Sequence, residues 1–259
     1  MADVRWYLDG RSGRAAYEAG HLPGAVHVDV DVDLAGPASP AAGRHPLPDP
    51  SDFAAAMSRL GIGDADTVVA YDDAGGAVAA RLVWMLRVTG HPAALLDGGL
   101  AAWTGPLEAG AVTRPPARLV AKPWPPERLA AIDEVAAAAD PGSGLVLVDA
   151  RAAERYRGER EPVDPRPGHI PGARNLPFSG NLDPATNRYR PAGELRARFE
   201  AAGVGPGADV VAYCGSGVTA CHDLLALDVA GLGPGRLYPG SWSQWSGDPD
   251  RPAVTGEDP

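Results

Sequence analysis

Cys214 closes an apolar run, Val210-Val211-Ala212-Tyr213, and opens the turn Cys214-Gly215-Ser216-Gly217-Val218-Thr219, after which a helical pattern begins. A thiol so placed lies at the carboxyl end of a strand and beneath a helix amino terminus, where unpaired backbone N–H groups and the helix dipole favour an anion. These residue types point to a sulfur nucleophile. Gly215 and Gly217 let the backbone curl its N–H groups towards the sulfur, a shape that a merely space-filling cysteine does not need. The second cysteine, Cys221, follows on the same turn and helix, about 10 Å away by helical rise and too far for a disulfide. It is expected to be buried and inert, and the free thiols imply a reducing compartment, the cytoplasm.

Alternation of short apolar runs with helical spacing places Cys214 in an α/β domain built around a parallel sheet, whose sites form at the carboxyl ends of the strands. Strands are predicted over 145–149 and 209–213, and helices over 192–202 and 218–230. The chain also repeats itself. Tyr7-Leu8-Asp9-Gly10-Arg11, His21-Leu22-Pro23-Gly24-Ala25, Val68-Val69-Ala70-Tyr71-Asp72 and Leu96-Asp97-Gly98-Gly99 recur, in order, as Leu147-Val148-Asp149-Ala150-Arg151, His169-Ile170-Pro171-Gly172-Ala173, Val210-Val211-Ala212-Tyr213-Cys214 and Tyr238-Pro239-Gly240-Ser241. Two copies of one domain follow, over 1–104 and 132–259, joined by a proline-rich segment, 105–131, that reads as an extended linker. From Asp72 to Trp103 and from Cys214 to Trp245 the copies keep one constant offset, so Asp72 stands where the second copy has its cysteine. An aspartate is a poor nucleophile for sulfur, so the first copy is expected to be inactive, a scaffold and one wall of an interdomain cleft.

The 259 residues carry a formal net charge of −10, which argues against nucleic acid or an anionic membrane as partner. Local arginines can still create a positive site, because salt screens distant carboxylates beyond about 10 Å. No apolar stretch reaches the roughly 20 residues of a membrane span, and the first residues lack a secretory pattern.

With these residues the chain resembles the tandem-domain rhodanese-family sulfurtransferases, over nearly its whole length. The resemblance implies two α/β rhodanese-like domains, each a central mainly parallel sheet flanked by helices, with an inactive amino-terminal copy and a catalytic cysteine in the second. Cys214-Gly215-Ser216-Gly217-Val218-Thr219 is similar to the loop of 3-mercaptopyruvate sulfurtransferases, whereas thiosulfate-preferring relatives carry charged residues after the cysteine. The implied reaction moves sulfur from 3-mercaptopyruvate through a Cys214 persulfide to thioredoxin, a small thiol or cyanide, with Ser216 at the substrate and no metal or organic cofactor. Thiosulfate is the alternative donor, and a non-catalytic persulfide sensor the alternative outside catalysis. In such enzymes a substrate-carboxylate arginine stands in an Arg-[Tyr/Phe]-x-Gly context, matched by Arg155. A second stands in a Pro-Arg context, best matched by Arg166, with Arg160 as competitor. His21 is a candidate for the cleft, and Trp242 is expected near the site or in the core. His169 is expected to order its own turn, and Asp149 with Arg151 to form a buried pair beneath the loop. A fold-related cysteine phosphatase would need an arginine six positions after its cysteine, where Ala220 stands.

Overall fold

Runs of β-branched and apolar residues too short for a helix alternate with helical segments in both halves of the chain. In the computed structural model, which describes residues 1–259 apart from the side chain of Pro141, each half builds one four-stranded sheet. The first contains β1 (Ala2–Asp3), β2 (Val26–His27), β3 (Val68–Tyr71) and β4 (Ala93–Leu95), in the order β2-β1-β3-β4. The second contains β5 (Leu145–Asp149), β6 (Arg174–Asn175), β7 (Asp209–Tyr213) and β8 (Arg236–Leu237), in the equivalent order β6-β5-β7-β8. Every pairing is parallel, the longest running from Leu145 opposite Asp209 to Asp149 opposite Tyr213.

Parallel neighbours need crossover connections, and helices supply them. The crossovers contain α1 (Gly13–Ala19), α2 (Val30–Asp33), α3 (Pro50–Arg59) and α4 (Ala79–Val88) in the first sheet and α6 (Ala153–Tyr156), α7 (Ala192–Ala201) and α8 (Ala220–Val229) in the second, while α5 (Ile132–Ala136) precedes β5 and α9 (Ser241–Gly247) follows β8. The predicted strands 145–149 and 209–213 are β5 and β7, and the two predicted helices are α7 and α8. Among the described residues no helix is long and apolar enough to cross a membrane. α8 is buried from Ala220 to Leu227, Asp223 and His222 included, so its sequence shows little of the amphipathic stripe of a surface helix. Each fully buried Leu on it contributes about 1.5–3 kcal/mol.

The compact units do not follow the sequence halves. One comprises Met1–Gly36, Leu47–Pro125 and Asp183–Tyr189; the other comprises Pro37–Pro46, Pro126–Leu182 and Arg190–Pro259. Of the segment 105–131, expected as an extended linker, residues 105–125 are pinned along the first unit. Glu108 exchanges backbone hydrogen bonds of 2.9 Å with His21, Ala117 N–H donates to Ser58 C=O at 2.9 Å, and Trp124 Nε1 donates to Pro48 C=O at 2.8 Å. An extended, proline-rich chain cannot satisfy its own backbone groups, and here it does so against the domain surface.

A buried Asp-x-Arg pair anchors each sheet. Arg151 lies on Asp149 at 2.5 Å and donates to Gly168 C=O at 2.8 Å, as the sequence suggested. In the first unit the counterpart is Asp3 with Arg5, joined at 2.6 Å and reaching Gly20 C=O at 2.7 Å. The matched pattern at Asp9 and Arg11 is a surface pair instead, with side chains 59% and 66% exposed. The chain carries the same spacing twice within ten residues, and only the sheet decides which copy is buried.

Candidate functional site

β7 ends at Tyr213, and the next residue, Cys214, is 2% exposed. Its backbone is fastened to α9: Cys214 N–H donates to Ser241 Oγ at 3.2 Å, and Cys214 C=O accepts from Trp242 N–H at 3.0 Å. Gly215 C=O accepts from Ser243 N–H at 2.9 Å. Ser241 takes a left-handed φ of 52° to do this, a strain offset by its two hydrogen bonds, the second donated to Tyr238 C=O at 3.0 Å. Gly217 adopts φ 75°, where a side chain would be strained, and the loop then enters α8. Thr219 sits at the N-cap of α8 without a side-chain capping bond.

The first unit shows what such a turn holds. Asp72 follows β3, is 1% exposed, and places its carboxylate on four backbone N–H groups. Oδ1 accepts from Ala74 at 2.8 Å and Gly76 at 2.7 Å, and Oδ2 from Val78 at 2.8 Å and Ala79 at 2.9 Å. Burial raises the pKa of this carboxyl, against the pull of the four N–H groups. Gly75, equivalent to Gly217, has φ 68°. Leu100 N–H donates to Asp72 C=O at 2.8 Å, just as the equivalent Trp242 donates to Cys214 C=O. The turn of the first copy is thus an anion cradle filled by a fixed carboxylate, and the equivalent turn of the second copy begins at Cys214.

Guanidinium groups converge on the neighbour of Cys214. A Cβ placed on Gly215 would lie 2.9 Å from Arg44 Nη2 and 3.4 Å from Arg155 Nη1, so a larger residue there would push the Arg44 guanidinium aside. Arg155 is held by Glu161, Nη2 to Oε1 at 2.6 Å and Nε to Oε2 at 3.2 Å, and by Asp164 Oδ2 at 3.0 Å. Arg44 Nη1 pairs with the other oxygen of Asp164. Burial lowers the Arg44 pKa, while the charge of Cys214 opposes that shift. Beside Gly215, Ser216 Oγ lies 2.7 Å from His45 Nδ1, both residues 6% exposed.

Arg44 and His45 are the residues that sequence reasoning missed. They come from Pro37–Pro46, a first-half segment that belongs to the same compact unit as Cys214. It is docked on α9, with Arg44 N–H donating to Ser243 Oγ at 3.0 Å and Gln244 Nε2 donating to Ala41 C=O at 2.5 Å. The only sequence signal is the polar pair inside Gly43-Arg44-His45-Pro46. His45 stands 171 residues from Ser216, so no spacing rule links them.

Arg166 departs from its expected role. Its guanidinium donates to four backbone carbonyls, those of Trp245, Ser246, Asp248 and Arg251, at 2.6–2.9 Å. Those carbonyls lie at the end of α9 and just beyond it, so Arg166 closes a helix terminus. Arg160 is exposed. His21 lies in the other unit, fully buried and stacked on Tyr17 at 4.2 Å, with Nδ1 on Tyr17 C=O at 3.0 Å. His169 repeats this on Tyr156, at 3.6 Å and 2.8 Å, and burial lowers its pKa. Both histidines order their own turns. Trp242 is wholly buried, its Nε1 donating to Arg166 C=O at 2.9 Å, with the Arg151 guanidinium 4.7 Å from its ring centroid. It belongs to the core beneath the loop. Cys221 is buried, its Sγ 3.4 Å from Gly217 C=O.

The family of rhodanese-like domains matches residues 2–106 and again 131–248. A probable 3-mercaptopyruvate sulfurtransferase of Pseudomonas aeruginosa is 44% identical, the match covering 99% of this chain and 92% of the relative. A putative thiosulfate sulfurtransferase of Mycobacterium tuberculosis is 41% identical, over 99% of this chain and 90% of the relative. Among solved structures, the 3-mercaptopyruvate sulfotransferase of Escherichia coli superposes with a TM-score of 0.81 at 35% identity, covering 93% of this chain and 92% of that one.

Proposed function

Given that the chain belongs to the rhodanese family and is a sulfurtransferase, we propose that it takes the sulfur of 3-mercaptopyruvate onto Cys214 and passes it to a thiol or cyanide. One observation carries this reading. The Cys214 turn is equivalent to the turn whose N–H groups hold the Asp72 carboxylate, and its Gly215 lies beside guanidinium groups suited to a carboxylate.

In the proposed reaction the Cys214 thiolate attacks the donor's sulfur. A Cys214–sulfur bond forms as the donor's carbon–sulfur bond breaks, and that electron pair leaves as the enolate of pyruvate. The donor's thiol proton is available to the enolate carbon, and the Ser216–His45 pair is placed to hold and return it. The N–H groups of the loop, equivalent to those on Asp72, stabilise the charge on the sulfurs. An acceptor thiolate then attacks the outer sulfur and releases Cys214 as thiolate; thioredoxin, a small thiol and cyanide are the acceptors proposed. The proposed compartment is the cytoplasm, where both thiols stay reduced.

The test is pyruvate release from 3-mercaptopyruvate, with mass measurement of the chain. The parent protein should gain about 32 Da, one sulfur, on Cys214 and release pyruvate, and Cys214→Ser should do neither. Equal release from both proteins rejects the mechanism. The Mycobacterium relative's name favours thiosulfate as a second reading, and comparing kcat/KM for the two donors decides between them.

A further inference from the structure

We infer that the first compact unit carries an anion site of its own, a cavity that takes a small tetrahedral oxyanion such as inorganic phosphate or sulfate. It uses no residue of the Cys214 loop and stands independently of the sulfur-transfer reading.

The cavity, of about 210 Å³, is lined by Arg14 and Tyr17 from α1, His27 from β2, Arg59 from α3, and Val112 and Arg114 from the pinned segment. That segment is held over α1 by Val112 N–H, which donates to the Tyr17 hydroxyl at 3.0 Å, and by Gly110 N–H, which donates to Glu18 C=O at 2.8 Å. Gly61 seats Arg114. At φ 73° it carries no side chain, and a Cβ there would lie 2.7 Å from Arg114 Cβ. Arginines from three separate elements thus line one space.

Charge and burial select the ligand. Arg14 has Glu18 at 3.6 Å and Arg59 has Asp33 at 2.7 Å, and neither acid lines the cavity. The Arg114 side chain has no ion pair or hydrogen bond among the described residues. The Met1 amino group, whose pKa burial and then Arg114 lower, is opposed by Asp66, so these two leave the balance unchanged. One positive charge stays uncompensated. His27, 5% exposed, is the buried part of the wall, and neither ring nitrogen has a hydrogen-bond partner among the described residues. Burial, then Arg14, lower its pKa against Asp29, Asp3 and the Arg5 backbone, so at neutral pH the ring is uncharged and keeps one N–H to donate. A buried donor without an acceptor calls for one, and an anionic oxygen among guanidinium groups supplies it. The volume falls below the roughly 300–1,000 Å³ of pockets for drug-sized molecules, which leaves a small ion. Donors on several elements match the oxygens of a tetrahedral ion, which point in several directions, better than the two coplanar oxygens of a carboxylate.

Titration of the full chain with phosphate, and separately with sulfate, tests the site at constant pH and ionic strength. The arginines beside Gly215 also attract anions, so the signal is read at the His27 ring resonances. Each ion should shift them along one saturable curve, and acetate should need at least about tenfold more. Arg114→Ala should raise the phosphate midpoint about tenfold or more, the range of a lost charge-assisted contact. Arg118→Ala, which removes an exposed arginine outside the cavity, should leave that midpoint in place. Arg114→Gln, which keeps the stem against Gly61, decides if Arg114→Ala fails to fold. Resonances that phosphate leaves in place overturn the site. So does a midpoint unmoved by loss of the Arg114 charge, or one moved equally by Arg118→Ala. Acetate as effective as phosphate overturns the preference for a tetrahedral ion.

Discussion

Cys214 is legible from its own neighbours, because a glycine-bracketed turn between a strand and a helix has few uses other than holding an anion. Its hydroxyl-imidazole neighbour is not, since His45 reaches Ser216 from a distant part of the chain. If the pair manages the proton, His45→Gln and Ser216→Ala should each lower kcat by about a hundredfold or more, and the double variant should be no slower than the worse single one. Additive losses in steady-state pyruvate release would show two separate roles. Asp72 makes the opposite case. Asp72→Ala would leave four N–H groups buried without their acceptor, at about 1–3 kcal/mol each before relaxation. A clear fall in denaturant midpoint is expected, and an unchanged midpoint would remove the cradle from the account.

α8 connects the cradle to the core and carries a buried acid. Burial raises the Asp223 carboxyl, against its Asn181 hydrogen bond of 2.6 Å, to about 8, and among the described residues Oδ2 has no hydrogen-bond partner. An unfolded aspartate titrates near about 3.9. Between those values the folded chain holds a proton that the unfolded chain has released, so stability falls as pH rises through this window. Asp223→Asn keeps a neutral side chain and should flatten that fall. Its melting temperature relative to the parent should be more favourable near about pH 8 than near about pH 5, and an equal difference at both would reject the buried neutral acid. At the other end of the site, α9 holds both the Cys214 loop and the segment 37–46 through Ser243 and Gln244.

At the scale of the whole molecule, the unit that contains Cys214 takes Pro37–Pro46 from the other half of the sequence. The proposed chemistry thus draws on a segment assigned to a different compact unit from its sequence neighbours. Weakening its anchorage with Ser243→Ala and Gln244→Ala together should reduce mercaptopyruvate kcat/KM about tenfold, as Arg44 and His45 lose their fixed positions, and should open residues 37–46 to proteolysis. Unchanged turnover alongside faster cleavage would mean that the segment's position is immaterial to catalysis.

The sequence by itself determined the duplication, the α/β parallel architecture and β5 and β7 to the residue, and it singled out Cys214 and its loop as the proposed nucleophile. Each of these is encoded locally, in side-chain periodicity, glycine placement and a repeated order of motifs. Arg155 was singled out through the run in which it stands, and it lies beside Gly215. Tertiary structure alone decided the rest. It buried Asp3–Arg5 rather than Asp9–Arg11, laid residues 105–125 along a domain, turned Arg166 to a helix end and brought Arg44 to Gly215 and His45 to Ser216. The physical reason is common to all four: a charged or polar group takes its role from the unpaired partner it meets, and that partner is chosen by packing between segments distant in sequence.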